Sequence, residues 1–403
     1  MLRSSPAREC LEVGSSKRLE ATPKLYLGGS SNPCGPKAQR GEEIVRTSEE
    51  LQRALEEVIE PALGRRLGDL GLLSKVEKGL LGVARAEVSI PFPNYPFAND
   101  LSQSLQEAAG GRLSVEMVTM GESEATAFIT RLVDASGPRV GQSGSTTRVL
   151  AVSSGKGGVG KSSVATNLAV AFSRQGKRVG VIDADIWGFS IPKMLGVRHA
   201  PLVIGGTIIP PLAFGIKAMS MDYFVPEDRA VVWRGPMLHK AIEQFLTDVF
   251  WDNPDYLIVD MPPGTGDIAI SMSQFLPRAQ VLLVTTPQPT AQRVARRAAL
   301  MADTVNQEVL GIVENMSWFT ADDGKRYELF GSGGGAALAE ELKVPLLAQI
   351  PLLTAMREGA DRGIPVSLAA PGSEAAEAFD HLATGVEARR PRVRTHPQLV
   401  INS

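Results

Sequence analysis

Cysteine is scarce in this sequence, and long hydrophobic runs are missing. The 403 residues include two cysteines, Cys10 and Cys34, both near the start of the chain. Two distant cysteines outside any predicted core exclude a disulfide framework. No apolar run approaches the roughly 18 residues needed to span a bilayer. The first residues lack the apolar stretch of a secretory signal, and early glutamates argue against a transit peptide. We therefore expect a cytoplasmic protein with no membrane partner.

A large surplus of one charge sign is also missing. The formal net charge is -2 at pH 7, with 43% hydrophobic and 21% charged residues. These proportions are those of an ordinary soluble globular protein. A chain so close to neutrality has no overall field that attracts it to nucleic acid. We expect no nucleic-acid partner.

The local composition divides the chain into five segments. They are a disordered tail (1–42), a small α+β domain (43–133), a linker (134–147), an α/β domain (148–388) and a basic tail (389–403). In the small domain, apolar residues from Leu51 to Ile59 have helical spacing, and Val83–Ile90 alternates like a half-buried strand. A second helix is predicted from about Asp100 to Ala109, followed by a strand over Leu113–Met120.

The α/β domain contains short apolar runs separated by longer helical patterns. The runs are Val149–Val152, Val179–Ile182, Tyr256–Val259, Val281–Val284, Val309–Val313 and Leu346–Ile350. This alternation predicts a mostly parallel sheet with helices on both faces. Ligands of such sheets bind beyond the carboxyl ends of the strands.

One glycine-rich segment identifies the ligand class. The string Gly155-x-x-x-x-Gly160-Lys161-Ser162 follows an apolar strand and opens a helical pattern, which is the context of a phosphate-binding loop. Its backbone N–H groups and the helix N-terminus favour phosphate. We expect ATP to bind through residues Gly155, Lys156, Gly157, Gly158, Val159, Gly160, Lys161, Ser162 and Ser163. Lys161 is the predicted contact of the β- and γ-phosphates.

Acidic residues follow the neighbouring strands. Asp183 and Asp185 come after the second apolar run, and Asp260 comes after the third. An acid at the end of an apolar strand is where a P-loop enzyme holds hydrated Mg²⁺. We predict Ser162 and Asp260 as the magnesium site and Asp185 as a catalytic residue. Asp183 also has a structural interpretation, as the cap of a turn.

The loop carries a second lysine, Lys156. Phosphoryl transfer develops negative charge that one lysine does not cover, and many NTPases borrow a cation from a partner. Lys156 could therefore serve the nucleotide of a second subunit across a two-fold dimer. The alternative, from spacing alone, is a solvated loop charge.

The segment GKGGVGKSS, with Lys156, resembles the deviant Walker-A ATPases, the group of MinD, ParA and nitrogenase iron protein. The segments DADIWGFSIPKMLG, DYLIVDMPPGTGD, GIVENMSWF and IPLLTAMREGADRGIPV are similar to the Mrp (ApbC-type) iron–sulfur cluster carriers. The similarity runs from about Val149 to Val366. PALGRRLGDLGLL in the small domain resembles an iron–sulfur-assembly domain. The implied fold is a P-loop NTPase preceded by a small α+β domain.

The resemblance implies an ATPase that forms a homodimer and transfers iron–sulfur clusters to apoproteins. It implies that Lys156 acts in the partner subunit, that Asp185 positions the attacking water, that Asp260 is the Walker-B acid, and that Asn315 reads the adenine edge. The sequence departs from the family at the cluster ligands. The family's Cys-x-x-Cys pair would lie within Trp318–Phe330, which contains no cysteine but carries Asp322, Asp323 and Glu328.

A further departure is Tyr95, which stands where relatives often carry a cysteine. Hard oxygen ligands do not suit a cluster that thiolates hold. Two alternatives therefore stay open: a cluster-free ATPase that docks a protein partner according to its nucleotide state, and a MinD- or ParA-like positioning ATPase.

Overall fold

The computed structural model describes residues 48–78, 83–110, 112–185, 188–224, 235–264, 267–321 and 323–389. Cys10, Cys34, Asp322, the predicted tail 1–42 and almost all of the tail 389–403 lie outside these ranges. Among the described residues, no helix is both long enough and apolar enough to cross a bilayer.

The small N-terminal unit folds as an α+β layer. Its elements are α1 (Ser48–Glu56), β1 (Ile59–Glu60), β2 (Arg65–Arg66), α2 (Leu67–Leu70), β3 (Leu73–Lys78), β4 (Ala84–Ile90), α3 (Ala98–Ala109), β5 (Leu113–Thr119) and α4 (Glu122–Ala135). Strand β4 is central, antiparallel to β3 and parallel to β5. It buries Ala86, Val88 and Ile90 on one face, as its alternation predicts.

Among its described residues, the larger unit is built around one sheet of nine strands. Its first half contains β6 (Arg148–Ser153), α5 (Lys161–Arg174), β7 (Val179–Asp183), α6 (Ile191–Met194), β8 (Leu202–Ile204), β9 (Thr207–Ile209), β10 (Leu212–Ala213) and β11 (Ile216–Ser220). Its second half contains α7 (Gly235–Thr247), β12 (Tyr256–Asp260), α8 (Asp267–Phe275), β13 (Gln280–Thr285), α9 (Pro289–Thr304), β14 (Glu308–Thr320), β15 (Arg326–Tyr327), α10 (Gly334–Leu342), β16 (Leu346–Leu352), α11 (Thr354–Arg362), α12 (Val366–Ala369) and α13 (Glu374–Glu387).

The strand order is β10-β11-β7-β12-β6-β13-β14-β15, with β16 also paired to β14. From β11 to β14 and on to β16 the neighbours are parallel, whereas β10 and β15 are antiparallel additions. Strands β7, β12 and β13 are buried at every residue because helices cover both faces. One face packs against α7, α8, α9 and α10, and the other against α5 and α13. The predicted α/β fold class is confirmed.

Two details differ from the sequence prediction. Helix α1 ends at Glu56, and Ile59 begins a strand instead of extending the helix. Strand β11 was not predicted, because Lys217 interrupts its short apolar pattern. Lys217 nevertheless lies in a strand whose residues are all buried.

Candidate nucleotide site

The glycine-rich loop connects β6 to α5 at the carboxyl ends of the parallel strands. Gly158 and Gly160 have φ angles of 78° and 80°, which side chains other than glycine rarely adopt. A Cβ atom on Gly155 would lie 2.1 Å from the backbone carbon of Val294 in α9. Glycine is therefore required at these positions for the loop to turn and to pack.

Lys161 is the first residue of α5, and its side chain is buried. Its Nζ donates to Asp260 Oδ1 at 2.6 Å and lies 3.9 Å from Asp185 Oδ2. Asp260 ends β12 directly beside Asp183 at the end of β7. The structure thus brings the predicted lysine and all three predicted acids to one edge of the sheet.

Asp260 has the features of a cation ligand. Burial raises the pKa of its carboxyl, an effect that Lys161 and the adjacent Ser162 oppose. Its Oδ2 atom is buried and accepts no hydrogen bond from the part of the chain that the structure describes. A buried carboxylate oxygen without a donor, beside a serine hydroxyl, suits a hard cation such as Mg²⁺. The predicted ligands Ser162 and Asp260 therefore fit this ion.

Asp183 has a structural role in the loop that follows β7. Its carboxylate accepts hydrogen bonds from the backbone N–H groups of Asp185, Ser190 and Ile191, at 3.3, 2.9 and 3.1 Å. Burial, with the charge of Asp260, raises the pKa of Asp183 to about 7. The residue fixes both the position of Asp185 and the start of α6.

Asn315 lies on β14 and contacts the phosphate loop. Its Nδ2 donates to the carbonyl oxygen of Val159 at 2.9 Å, and a Cβ on Gly160 would meet the same nitrogen at 2.2 Å. The side chain is buried. This contact holds the loop, while the adenine-reading role of Asn315 stays a prediction.

Sequence reasoning missed Asn167, a buried polar residue of α5. Its Nδ2 donates to the Ser163 carbonyl oxygen at 2.9 Å, and its Oδ1 accepts from the Val366 N–H at 2.9 Å. Asn167 thereby ties the phosphate-loop helix to α12. The signal was available, since one polar residue in the apolar run VATNLAVAF indicates a tertiary hydrogen bond.

The second lysine, Lys156, has an exposed side chain. The Ser154 hydroxyl donates to the Lys156 carbonyl oxygen at 3.0 Å, and the Gly264 N–H donates to the Ser154 carbonyl oxygen at 3.0 Å. The backbone at Lys156 is therefore held while its ammonium group faces solvent.

In the segment expected to carry cluster ligands, β14 and β15 pair as a hairpin. Glu374, at the start of α13, accepts from Trp318 Nε1 at 3.0 Å and from Arg326 at 3.0 Å, and the Arg326 guanidinium lies 4.6 Å from the Trp318 ring centre. The hydrogen bonds from Trp318 and Arg326 lower the pKa of Glu374. No group of three or more His, Cys, Asp or Glu residues within the described ranges is placed to hold a metal.

Tyr95, where the resemblance also leads us to expect a cysteine, packs within the small unit. Its ring stacks on Phe92 with centres 5.6 Å apart, and its hydroxyl donates to the buried carboxylate of Glu60. Burial raises the pKa values of both Tyr95 and Glu60. Both positions where the resemblance leads us to expect a cysteine therefore have structural contacts in this chain.

Comparison with known proteins shows which family the chain belongs to. The sequence model of the NUBPL iron-transfer P-loop NTPases, within the ParA group, matches residues 145–387. The chain belongs to this family. It is 40% identical over 354 residues to the iron-sulfur cluster carrier protein of Mycobacterium tuberculosis, covering 84% of this chain and 93% of the relative. The Bacillus subtilis iron-sulfur cluster carrier protein is 52% identical over 204 residues, covering 50% of this chain and 58% of that protein.

A solved structure shares the fold of the larger unit. The nucleotide-binding protein of Archaeoglobus fulgidus, in complex with ADP, is 35% identical with a TM-score of 0.50. The match covers 58% of this chain and 91% of that protein. The resemblance to iron–sulfur cluster carriers, the P-loop NTPase fold and the nucleotide-binding class of the site are confirmed.

Proposed function

We propose that this protein binds and hydrolyses ATP with Mg²⁺ and carries iron–sulfur clusters to apoproteins. ATP binding and hydrolysis are supported by one observation. Lys161 contacts Asp260 next to the glycine-rich loop, and Asp185 and Ser162 lie beside this pair. Bound magnesium would neutralise charge on the phosphates, with Ser162 and Asp260 as its ligands. Asp185 would orient the attacking water. The proposed cluster transfer is supported by the similarity to iron-sulfur cluster carrier proteins of other organisms.

ATP binding requires Lys161 to exchange one partner for another. The Lys161 ammonium group is paired with Asp260 in the structure. Phosphate oxygens would draw Lys161 away and leave the Asp260 carboxylate to the metal ion. We expect Lys161→Ala to abolish nucleotide binding, measured by calorimetry with Mg·ATP, while the exposed control Lys240→Ala binds normally. Unchanged affinity of the Lys161 variant would refute the assignment.

The exposed Lys156 would act on the nucleotide of a second copy in a homodimer. We expect Lys156→Ala to bind ATP normally and to lose hydrolysis or ATP-dependent dimerisation, followed by phosphate release and by sedimentation. Normal values of both would show that Lys156 is a solvated loop charge.

The cluster is the cargo of this proposal, and the described residues do not supply its usual ligands. The hairpin of β14 and β15 offers a tryptophan, an arginine and a carboxylate, not thiolates. Cys10 and Cys34 are the two thiols of the sequence. Replacing these two residues tests whether the chain's own thiols hold the cluster.

The contacts of the β14–β15 hairpin with Glu374 also favour a second candidate function. This candidate is a cluster-free ATPase that docks a protein partner according to its nucleotide state. Anaerobic reconstitution with iron and sulfide, followed by metal analysis and a visible spectrum, separates the two candidates. A stoichiometric cluster in the full chain that is lost in Cys10→Ser/Cys34→Ser supports the carrier. No cluster in the full chain, with ATP hydrolysis intact, supports the conformational ATPase.

A further inference from the structure

Each of the two acid-bearing loops of the nucleotide site is followed by an element that contacts the small unit or its linker. The loop after β7 carries Asp185, and the loop after β12 begins at Asp260. We propose that these two connections make the small unit respond to the nucleotide, so that its position reports whether ATP is bound. This inference rests on the proposed nucleotide function and extends it to regulation.

The first connection runs through α6 to the hairpin of β8 and β9. Asp183 holds the first N–H groups of α6, as described above. Downstream of α6, the His199 ring packs edge-on against Phe97 of the small unit with ring centres 4.7 Å apart. The hairpin then places Ile204 and Ile209 in the hydrophobic core of the small unit, where they are 5% and 1% exposed. A shift of α6 would move residues that belong to that core.

The second connection runs through α8 to the linker. Composition predicts a flexible linker over 134–147, but Val140 is buried in the core that contains α7, α8 and α9. A Cβ on Gly141 would lie 2.8 Å from Leu276 Cδ2 and 3.0 Å from the Phe275 carbonyl oxygen. The linker backbone therefore packs closely against the carboxyl end of α8, the helix that follows the Asp260 loop.

A third contact supplies a fixed point between the two connections. Asp252 accepts a two-pronged hydrogen bond from Arg65 of the small unit and a hydrogen bond from the Ser136 hydroxyl at 3.2 Å. Lys217 Nζ lies 3.7 Å from the same carboxylate. These contacts lie near the amino ends of β11 and β12, away from the phosphate loop. The small unit is thus anchored at one place and contacted by nucleotide-linked elements at two others.

Packed interfaces of this kind transmit shifts because they repack between discrete arrangements. When ATP draws Lys161 away from Asp260, both acid-bearing loops lose a contact that holds them together. Elements α6 and α8 then rearrange, and His199 and Val140 carry the change to the small unit and its linker.

Hydrogen–deuterium exchange of the full-length chain tests the proposal. We expect Mg²⁺ with a non-hydrolysable ATP analogue to change exchange rates in β4 and α3 by about fivefold or more, the lower end of coupling between two sites. In His199→Ala/Val140→Ala the change should fall below about twofold, while peptides of the phosphate loop stay protected. The matched control Val203→Ala/Ser143→Ala alters an exposed position in the hairpin that follows His199 and an exposed position in the linker, and it should respond like the wild type.

Protection of the phosphate loop separates the possible failures. Protected loop peptides with no change in β4 and α3 would overturn the coupling and leave the nucleotide function standing. A full response in His199→Ala/Val140→Ala would overturn the two named connections. Unprotected loop peptides would refute the nucleotide function and this inference with it.

Discussion

The two ends of the central sheet both bury charged residues, but they balance them differently. At the carboxyl ends, Lys161 lies beside two carboxylates, Asp260 and Asp185, and Asp260 Oδ2 receives no hydrogen bond from the described residues. At the amino ends, Arg65 and Lys217 share Asp252, and each oxygen of that carboxylate is engaged. A carboxylate oxygen that receives no hydrogen bond from the described residues suits an arriving cation. The fully engaged carboxylate at the other end suits a permanent contact.

Asp260→Asn should separate function from stability most strongly. Removing the charge that the metal requires should lower ATP hydrolysis by about 100-fold or more. The folded state should lose little stability, because burial raises the pKa of this carboxyl in spite of its contact with Lys161, so that folding disfavours the charge that is removed. Phosphate release and urea denaturation measure the two effects. Hydrolysis within about tenfold of the wild-type rate would show that the metal has other ligands.

Asp252→Asn should produce the opposite pattern. It leaves two cations, Arg65 and Lys217, without their shared carboxylate, so we expect a loss of about 2–4 kcal/mol in the free energy of unfolding. Exposed Asp380, paired with Arg174, is the matched control, and Asp380→Asn should cost less than about 1 kcal/mol. Equal losses of unfolding free energy in the two variants would contradict the view that Asp252 holds Arg65 and Lys217 together.

Lys217 makes the amino end sensitive to alkaline pH. Burial lowers the pKa of its ammonium group to about 8 from 10.5, although Asp252 opposes the change. Between these values the unfolded chain holds a proton that the folded chain has lost, so stability rises with pH from about 8 to 10.5. We expect wild type to gain about 2 kcal/mol relative to Lys217→Met across this window. Parallel stability curves from thermal unfolding would contradict this.

Asp183 lies at the opposite end of the sheet, and its effect on the free energy of unfolding should have the opposite slope with pH. Its raised pKa, about 7 against 3.8, means that the folded chain holds the extra proton between these values. Stability therefore falls as pH rises from about 4 to 7. Asp183→Asn keeps an oxygen for the backbone N–H groups and should flatten this slope, measured without nucleotide or magnesium. A slope unchanged in the variant would assign the titration to another group.

The carboxyl end could be predicted from the sequence, and the amino end could not. Lys161, Asp185 and Asp260 stand at fixed points of strand and loop patterns, so periodicity alone places them on one edge of the sheet. The contact of Arg65 with Asp252 joins residues far apart in sequence with no motif around either. Their pairing depends on how the small unit packs, which local patterns do not encode.

The same limit applies to residues whose role is tertiary. Val140 lies in a segment whose glycines and serines are typical of a flexible connection, yet a single apolar residue fixes it to the core. Asn315 was predicted from a resemblance, and its observed contact with Val159 depends on the exact approach of β14 to the phosphate loop. Sequence order predicts neighbours along strands well and side-chain partners across layers poorly.

The hairpin of β8 and β9 has a practical consequence for dissecting this protein. By position in the chain it belongs to the nucleotide-binding half, but Ile204, Ile209 and Phe250 are covered by the other half. A truncation within residues 134–147 would expose these three side chains to water and create an exposed hydrophobic patch. Such a fragment would tend to aggregate, and low activity in it would report poor solubility instead of a missing function.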